Sequence, residues 1–207
     1  MMSGETAKAM AAFQSSRRYV LALLIGVIGI LLVFGSSLQN EMMHELIEAY
    51  GLVLILIGIG GRLWSILYIG GRKSAELVSA GPYSVTRNPL YFFSTVAAVG
   101  VGAQTGSLVI SALAGLFCAV AFYFVALREE RYLKATLGAP YLAYVERVPR
   151  FLPIPWLYRD EERVTFKPQI FNRTLVDGLV FLSAIPFFEL VEMGRDMGLI
   201  PVLFQLY

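Results

Sequence analysis

Residues Leu108 to Leu127 read LVISALAGLFCAVAFYFVAL, twenty positions without a charge, and they are followed at once by Arg128-Glu129-Glu130-Arg131. A hydrocarbon core of ~30 Å takes about 20 helical residues, so this stretch is long enough to cross a bilayer and its charged end is suited to the headgroup level. The same pattern recurs on both sides of it. Apolar runs cover Tyr19 to Leu38, Leu46 to Ile69, Leu90 to Ala103 and Thr174 to Val191. The chain of 207 residues is 57% hydrophobic and 15% charged, where soluble domains are roughly 45–50% apolar and about 25% charged, so the apolar surplus requires lipid as solvent. The expected fold is all-α: one polytopic membrane helical bundle of about five transmembrane helices.

The run from Tyr19 follows Arg17-Arg18 and superficially resembles a signal peptide, but it is about twice as long as a signal core and lacks a small-x-small cleavage site. The second run carries Gly51, Gly58, Gly60 and Gly61, which allow helices to approach closely, within one chain or in an oligomer. Gln104-Thr105-Gly106 reads as the tight turn of a helical hairpin. The segment 128–173, charged throughout and broken by Pro140, Pro149, Pro153, Pro155 and Pro168, is expected in water or at the headgroups. Gly198 to Tyr207 is too short to cross and is expected to be interfacial or re-entrant. Of the 17 Lys and Arg residues, 15 fall on one side under this topology, which predicts a cytosolic N-terminus. The polar segments 70–88 and 128–173 then share the cytosolic side. The expected organisation is a single membrane domain: residues 1–70 of unassigned role, a core at 71–155, and a C-terminal extension at 156–207.

Much chemistry is excluded by composition. Cys118 is the single cysteine, so no intrachain disulfide forms, and His44 is the single histidine, with no zinc-ligand set and no Ser-His-Asp device around it. No metal is expected. A net charge of +2 is too mild for a nucleic-acid partner, and no phosphate-cradling loop follows a strand.

Three clusters could carry chemistry. In Gly81-Pro82-Tyr83-Ser84-Val85-Thr86-Arg87-Asn88-Pro89-Leu90-Tyr91 a turn runs into a membrane helix with Pro89 at its first position, offering unpaired N–H groups, the fixed charge of Arg87 and the amide of Asn88 to an anion. The same residues also read as a juxtamembrane anchor, an N-cap and an aromatic belt. Glu129-Glu130 closes the fourth run; neighbouring carboxylates diverge by about 100° on a helix, so at most one faces a given pocket, and a solvated charge run is the plainer meaning. Ala139 to Arg147 reads as a short amphipathic helix whose Tyr141, Tyr144 and Val148 share one face, which suits packing as well as ligand contact.

In order and spacing the three clusters resemble the isoprenylcysteine carboxyl methyltransferase and phospholipid methyltransferase family of integral membrane enzymes. The matching residues are Gly81-Pro82-Tyr83, Arg87-Asn88-Pro89-Leu90-Tyr91, Glu129-Glu130, Tyr141 with Tyr144, and Arg147 through Pro153, within residues 70–155. The resemblance implies S-adenosylmethionine as methyl donor, held by Gly81, Tyr83, Arg87, Asn88, Pro89, Tyr91, Glu129 and Glu130. It implies catalytic roles for Asn88 and Arg147, substrate contacts from Tyr144 and Arg147, and a membrane lipid or lipidated acceptor such as a prenylcysteine carboxylate or an aminolipid. Arg87 would bind the donor's carboxylate and Glu129 or Glu130 its ammonium. Asn88 stands where the family commonly has histidine and cannot exchange a proton near neutral pH, which leaves Glu130 or Tyr144 as fallback bases. An NADPH-dependent reductase of the sterol-reductase kind, and a non-catalytic protein on the same scaffold, are the competing readings. The short connectors suit a bacterial inner membrane.

Overall fold

The computed structural model describes residues 33–36, 40–70 and 76–205, so most of the expected first helix, Tyr19 to Leu38, lies outside the described residues. Residues 39–189 form one compact unit, and residues 1–38 with 190–207 form another.

In the larger unit, α1 spans Glu41–Ile69. It starts five residues before the apolar run because Asn40 caps it, its Oδ1 accepting from Met43 N at 2.9 Å, with Glu41 placed favourably in the first turn. α2 spans Pro89–Ala103 and α3 spans Leu108–Leu137, whose first turn is capped by Ser107. The turn between them is closed by Gly106 at φ 66° and tied to α1 by Gln104, whose Nε2 donates to Glu48 O at 2.9 Å. α2, at 15 residues about 22 Å long, is the inner helix, packed against α1 on one side and α3 on the other. The α1–α2 seam depends on absent side chains: a Cβ on Gly58 would stand 2.6 Å from that of Ala97. Gly51 and Gly61 lie in the same seam, whereas Gly60 faces open space. Large apolar side chains such as Leu56, Leu116 and Phe124 point outward, as expected of a lipid-facing surface.

α3 runs well past the end of the apolar stretch at Leu127. It continues unbroken for 30 residues to Leu137, about 45 Å, and so carries Glu129 and Glu130 on a rigid extension of a membrane helix. Gly138, at φ 61°, ends it and leads into α4, Ala139–Arg147. As the spacing implied, Tyr141, Tyr144 and Val148 form the buried face of α4, against Leu77, Leu133 and Leu137.

The last run is longer than Thr174–Val191. It begins at Pro168, a residue suited to the first helical position, and comprises α5 (Pro168–Leu179), a 3-10 turn (Val180–Ser183) and α6 (Ala184–Asp196). The tighter turn precedes Pro186, which has no N–H to return to Leu182. Gly178 brings α5 close to Ile59 of α1. Among the described residues three helical runs, Glu41–Ile69, Leu108–Leu137 and Pro168–Asp196, are long and apolar enough to cross a membrane, with α2 as a shorter companion. The chain is an all-helical membrane bundle.

In the smaller unit the tail is not helical after Gly198. Leu203 N donates to Phe34 O at 2.9 Å, and Phe204–Gln205 pair in parallel with Gly35–Ser36.

Candidate active site

Two irregular segments lie side by side at one end of the larger unit and complete each other's backbone hydrogen bonds. Gly81 N donates to Arg159 O at 2.7 Å, Arg87 N to Pro149 O at 2.8 Å, and Ile154 N to Val85 O at 2.9 Å. Side chains reinforce the ladder: Thr86 Oγ1 reaches the carbonyls of Arg150 and Phe151, and Ser84 Oγ accepts from Arg159 N at 2.9 Å. Polar backbone near a membrane must be paired, and these two strips supply one another. Gly81 belongs to this framework. It sits at φ 56° with the Tyr68 ring so close that a Cβ would lie 2.3 Å from Cζ. Pro89 is fully buried at the start of α2.

The charged centre is Glu130. Its side chain is 5% exposed and grips Arg150 with two bonds, Nε to Oε1 at 2.9 Å and Nη2 to Oε2 at 3.1 Å. Arg87, 9% exposed, brings Nη1 within 3.1 Å of Oε2. That approach is off the N–H direction: Nη1 and Nε of Arg87 are both buried without a hydrogen bond. Two guanidiniums thus face one carboxylate, and one of them keeps donors to give. The hydrogen bonds that Arg150 donates to Glu130 raise its pKa further, so this charge is permanent. Arg150 also lies over the Tyr123 ring, 5.7 Å from its centroid.

Glu129 projects elsewhere, as neighbouring positions on a helix require. Half-buried, its carboxylate acts on the hydroxyls of Tyr83, Tyr91 and Tyr141. Tyr91 stacks on Phe122 of α3 at 4.6 Å between centroids. The Tyr83 hydroxyl is buried and makes no hydrogen bond, and burial pushes its pKa well above the ordinary value. Tyr141 is pushed up to about 12, first by burial and then by Glu130. Leaving a buried donor unpaired costs about 1–3 kcal/mol, and Arg87 Nε and Tyr83 Oη are two such donors. They fit a ligand that accepts hydrogen bonds and carries negative charge, beside a carboxylate and aromatic rings that fit positive charge.

Several expected roles change. Arg147 is exposed and its Nε donates to Ala143 O of its own helix, so the structure does not bring it to the cluster. The guanidinium that arrives is that of Arg150, placed by the extended chain after Pro149. Tyr144 is buried and gives its hydroxyl to Tyr83 O at 2.7 Å, with its pKa raised mainly by burial; it is a strut, and not a base. Glu130 is occupied by two arginines and is no base either. Asn88 occupies the N-cap position of α2 without capping it; its Nδ2 donates to Arg150 O at 3.1 Å. Sequence reading also missed Asp160, whose carboxylate accepts from Tyr68 Oη at 2.5 Å and Tyr158 Oη at 2.9 Å and anchors the end of the second strip. These two bonds hold the Asp160 pKa below the ordinary carboxylate range, that from Tyr68 contributing most.

Residues 46–139 match the phospholipid methyltransferase family. The chain is 34% identical over 170 residues to the cobalt-zinc-cadmium resistance protein CzcN of Cupriavidus metallidurans, covering 82% of this chain and 78% of that one. It is 34% identical over 178 residues to the nickel-cobalt-cadmium resistance protein NccN of Alcaligenes xylosoxydans xylosoxydans, covering 86% of this chain and 83% of that protein. It is also 32% identical over 153 residues to protein-S-isoprenylcysteine O-methyltransferase B of Arabidopsis thaliana, covering 67% of this chain and 75% of the plant enzyme. No solved structure shows significant similarity to the chain. With the buried Arg87–Glu130–Arg150 cluster built from the family's own motifs, the chain belongs to the isoprenylcysteine carboxyl methyltransferase and phospholipid methyltransferase family of integral membrane proteins.

Proposed function

We propose that this protein is an S-adenosylmethionine-dependent methyltransferase acting on a lipid or lipidated acceptor at the cytosolic face of a bacterial inner membrane. The observation that carries the reading is Arg87: buried, charged and with Nε and Nη1 unbonded, beside a Glu130 already gripped by Arg150. When bound, the cofactor would supply an electrophilic methyl group carried on a positively charged sulfur. Arg87 and the Tyr83 hydroxyl would hold the carboxylate of its amino acid portion, Glu129 the ammonium, and the rings of Tyr91 and Phe122 would flank its positive charge. What the protein adds to the rate is alignment and exclusion of water.

The protonation states narrow the acceptor. Burial keeps the phenols of Tyr83, Tyr141 and Tyr144 protonated, Asn88 takes no proton, and Glu130 is spoken for. An acceptor already deprotonated at neutral pH, such as a carboxylate, loses no proton on methylation and suits this site better than an ammonium.

Calorimetric titration of the detergent-purified protein with S-adenosylmethionine, S-adenosylhomocysteine and NADPH tests the cofactor. Binding of both adenosyl ligands, lost in Arg87→Ala, supports the reading; binding of NADPH alone transfers it to a reductase, and binding of none removes catalysis.

A further inference from the structure

A second cation, half-buried, lies deeper in the bundle. Arg62 sits about two turns, or 10 Å, before the end of α1 at Ile69, inside a helix otherwise uncharged from Gly51 onward. A charge within a spanning segment is costly, so such residues persist where they have a partner or a task. Arg62 Nη1 donates to Ser94 Oγ, which itself donates to Leu90 O at 2.7 Å. The guanidinium carbon stands 5.6 Å from the centre of the Phe181 ring. Arg62 Nε is buried with no hydrogen bond, and among the described residues no carboxylate comes within 4 Å of the group. Asp177 on α5, which is exposed, acts on it only from farther away, and Cys118 on α3 is the remaining polar neighbour. The charge is held in place by a hydroxyl and a ring, with no carboxylate in ion-pair contact among the described residues.

Its position relates it to the site above. Ser94 lies on α2 six residues beyond Asn88, about 9 Å along the axis, and one turn beyond Tyr91, whose ring and hydroxyl meet Phe122 and Glu129. Arg62 is therefore on the membrane side of the donor cluster, where a lipid-like acceptor must lie. Guanidinium presents a fork that carboxylate and phosphate fit, and Phe181 covers its face while leaving Nε at the edge. We infer that Arg62, seated by Ser94 and Phe181, is the specificity-determining anchor for the anionic head, carboxylate or phosphate, of the amphiphile that accepts the methyl group. The acceptor role rests on the proposed methyltransferase reading, whereas the anion site does not.

The test uses the full chain in zwitterionic nanodiscs, titrated with dodecanoate, dodecyl phosphate and dodecylamine, alongside S-adenosylhomocysteine, for wild type, Arg62→Gln and Arg62→Lys. The expected result is saturable binding of at least one anionic amphiphile, the two arms telling carboxylate from phosphate. Arg62→Gln should weaken that binding at least tenfold and Arg62→Lys less. S-adenosylhomocysteine binding should be unchanged in both variants, a control that also reports folding. Equal affinity for dodecylamine and the anions, absence of saturable anion binding in the wild type, or retention of it in Arg62→Gln would each overturn the inference. Anion binding through Arg62 in a wild type that binds no S-adenosylhomocysteine would sustain the anion site and remove the methyltransferase reading.

Discussion

The side-chain amide of Asn88 donates to the backbone carbonyl of Arg150 at 3.1 Å, joining the start of α2 to the strip whose guanidinium grips Glu130. Position 88 thus acts through Arg150 rather than by moving a proton. Asn88→Ala is expected to weaken S-adenosylhomocysteine binding about tenfold by loosening that strip, a loss near 1.4 kcal/mol, of the order of one hydrogen bond. Asn88→Asp, which sets a carboxylate against a carbonyl, should do worse. Equal affinities for wild type and both variants in calorimetry would remove the positioning role.

Arg147 and Arg150 are three residues apart and have different fates. Arg150→Ala should abolish measurable cofactor binding, and Arg147→Ala should leave it within about twofold, because one guanidinium holds Glu130 and the other lies on the surface of α4. The reverse order in a titration would contradict the site described here.

Glu130→Gln leaves the buried Arg87 and the half-buried Arg150 without their shared anion. Breaking such a pair from one side costs about 3 kcal/mol, and the melting temperature in detergent should fall accordingly. Glu129→Gln, at a half-buried position, should affect stability less.

Gly81→Ala places a methyl against the Tyr68 ring at φ 56° and is expected to cost about 2 kcal/mol. The double variant Gly81→Ala with Tyr68→Ala should recover part of the loss if the clash is its cause, as thermal unfolding would show.

Stability should decline at both pH extremes for different reasons. Asp160 is depressed in the folded chain, so its contribution is present above its unfolded value near 4 and is lost as pH falls below it; Asp160→Asn should flatten the acid limb. Tyr141 is raised to about 12, so its contribution is present below its unfolded value near 10 and is lost as pH climbs from there; phenolate absorbance should lag behind that of free tyrosine.

Helix placement was legible because lipid demands long apolar runs, and α1, α2 and the buried tyrosine face of α4 follow from composition and spacing. The length of α3 was not, because the charges from Arg128 onward read as the end of a membrane segment although nothing in them breaks a helix. Within the site, motif order identified Arg87, Glu129 and Glu130, while the choice of Arg150 over Arg147 depends on Pro149 stopping α4 and turning the chain across residues 81–88. The commitment of Tyr144 to Tyr83 O joins positions 61 apart, which no local pattern encodes.

The ladder between residues 81–87 and 149–159 also fixes when the site can come into being. The hairpin of α2 and α3 is synthesised first and can enter the bilayer with Arg87 and Glu130 already present, but the carbonyls and guanidinium that finish the cluster are translated later. A ribosome paused before Arg150 would hold an inserted chain with its site unfinished, and the cluster would close only when the nascent strip emerged and folded back on the hairpin.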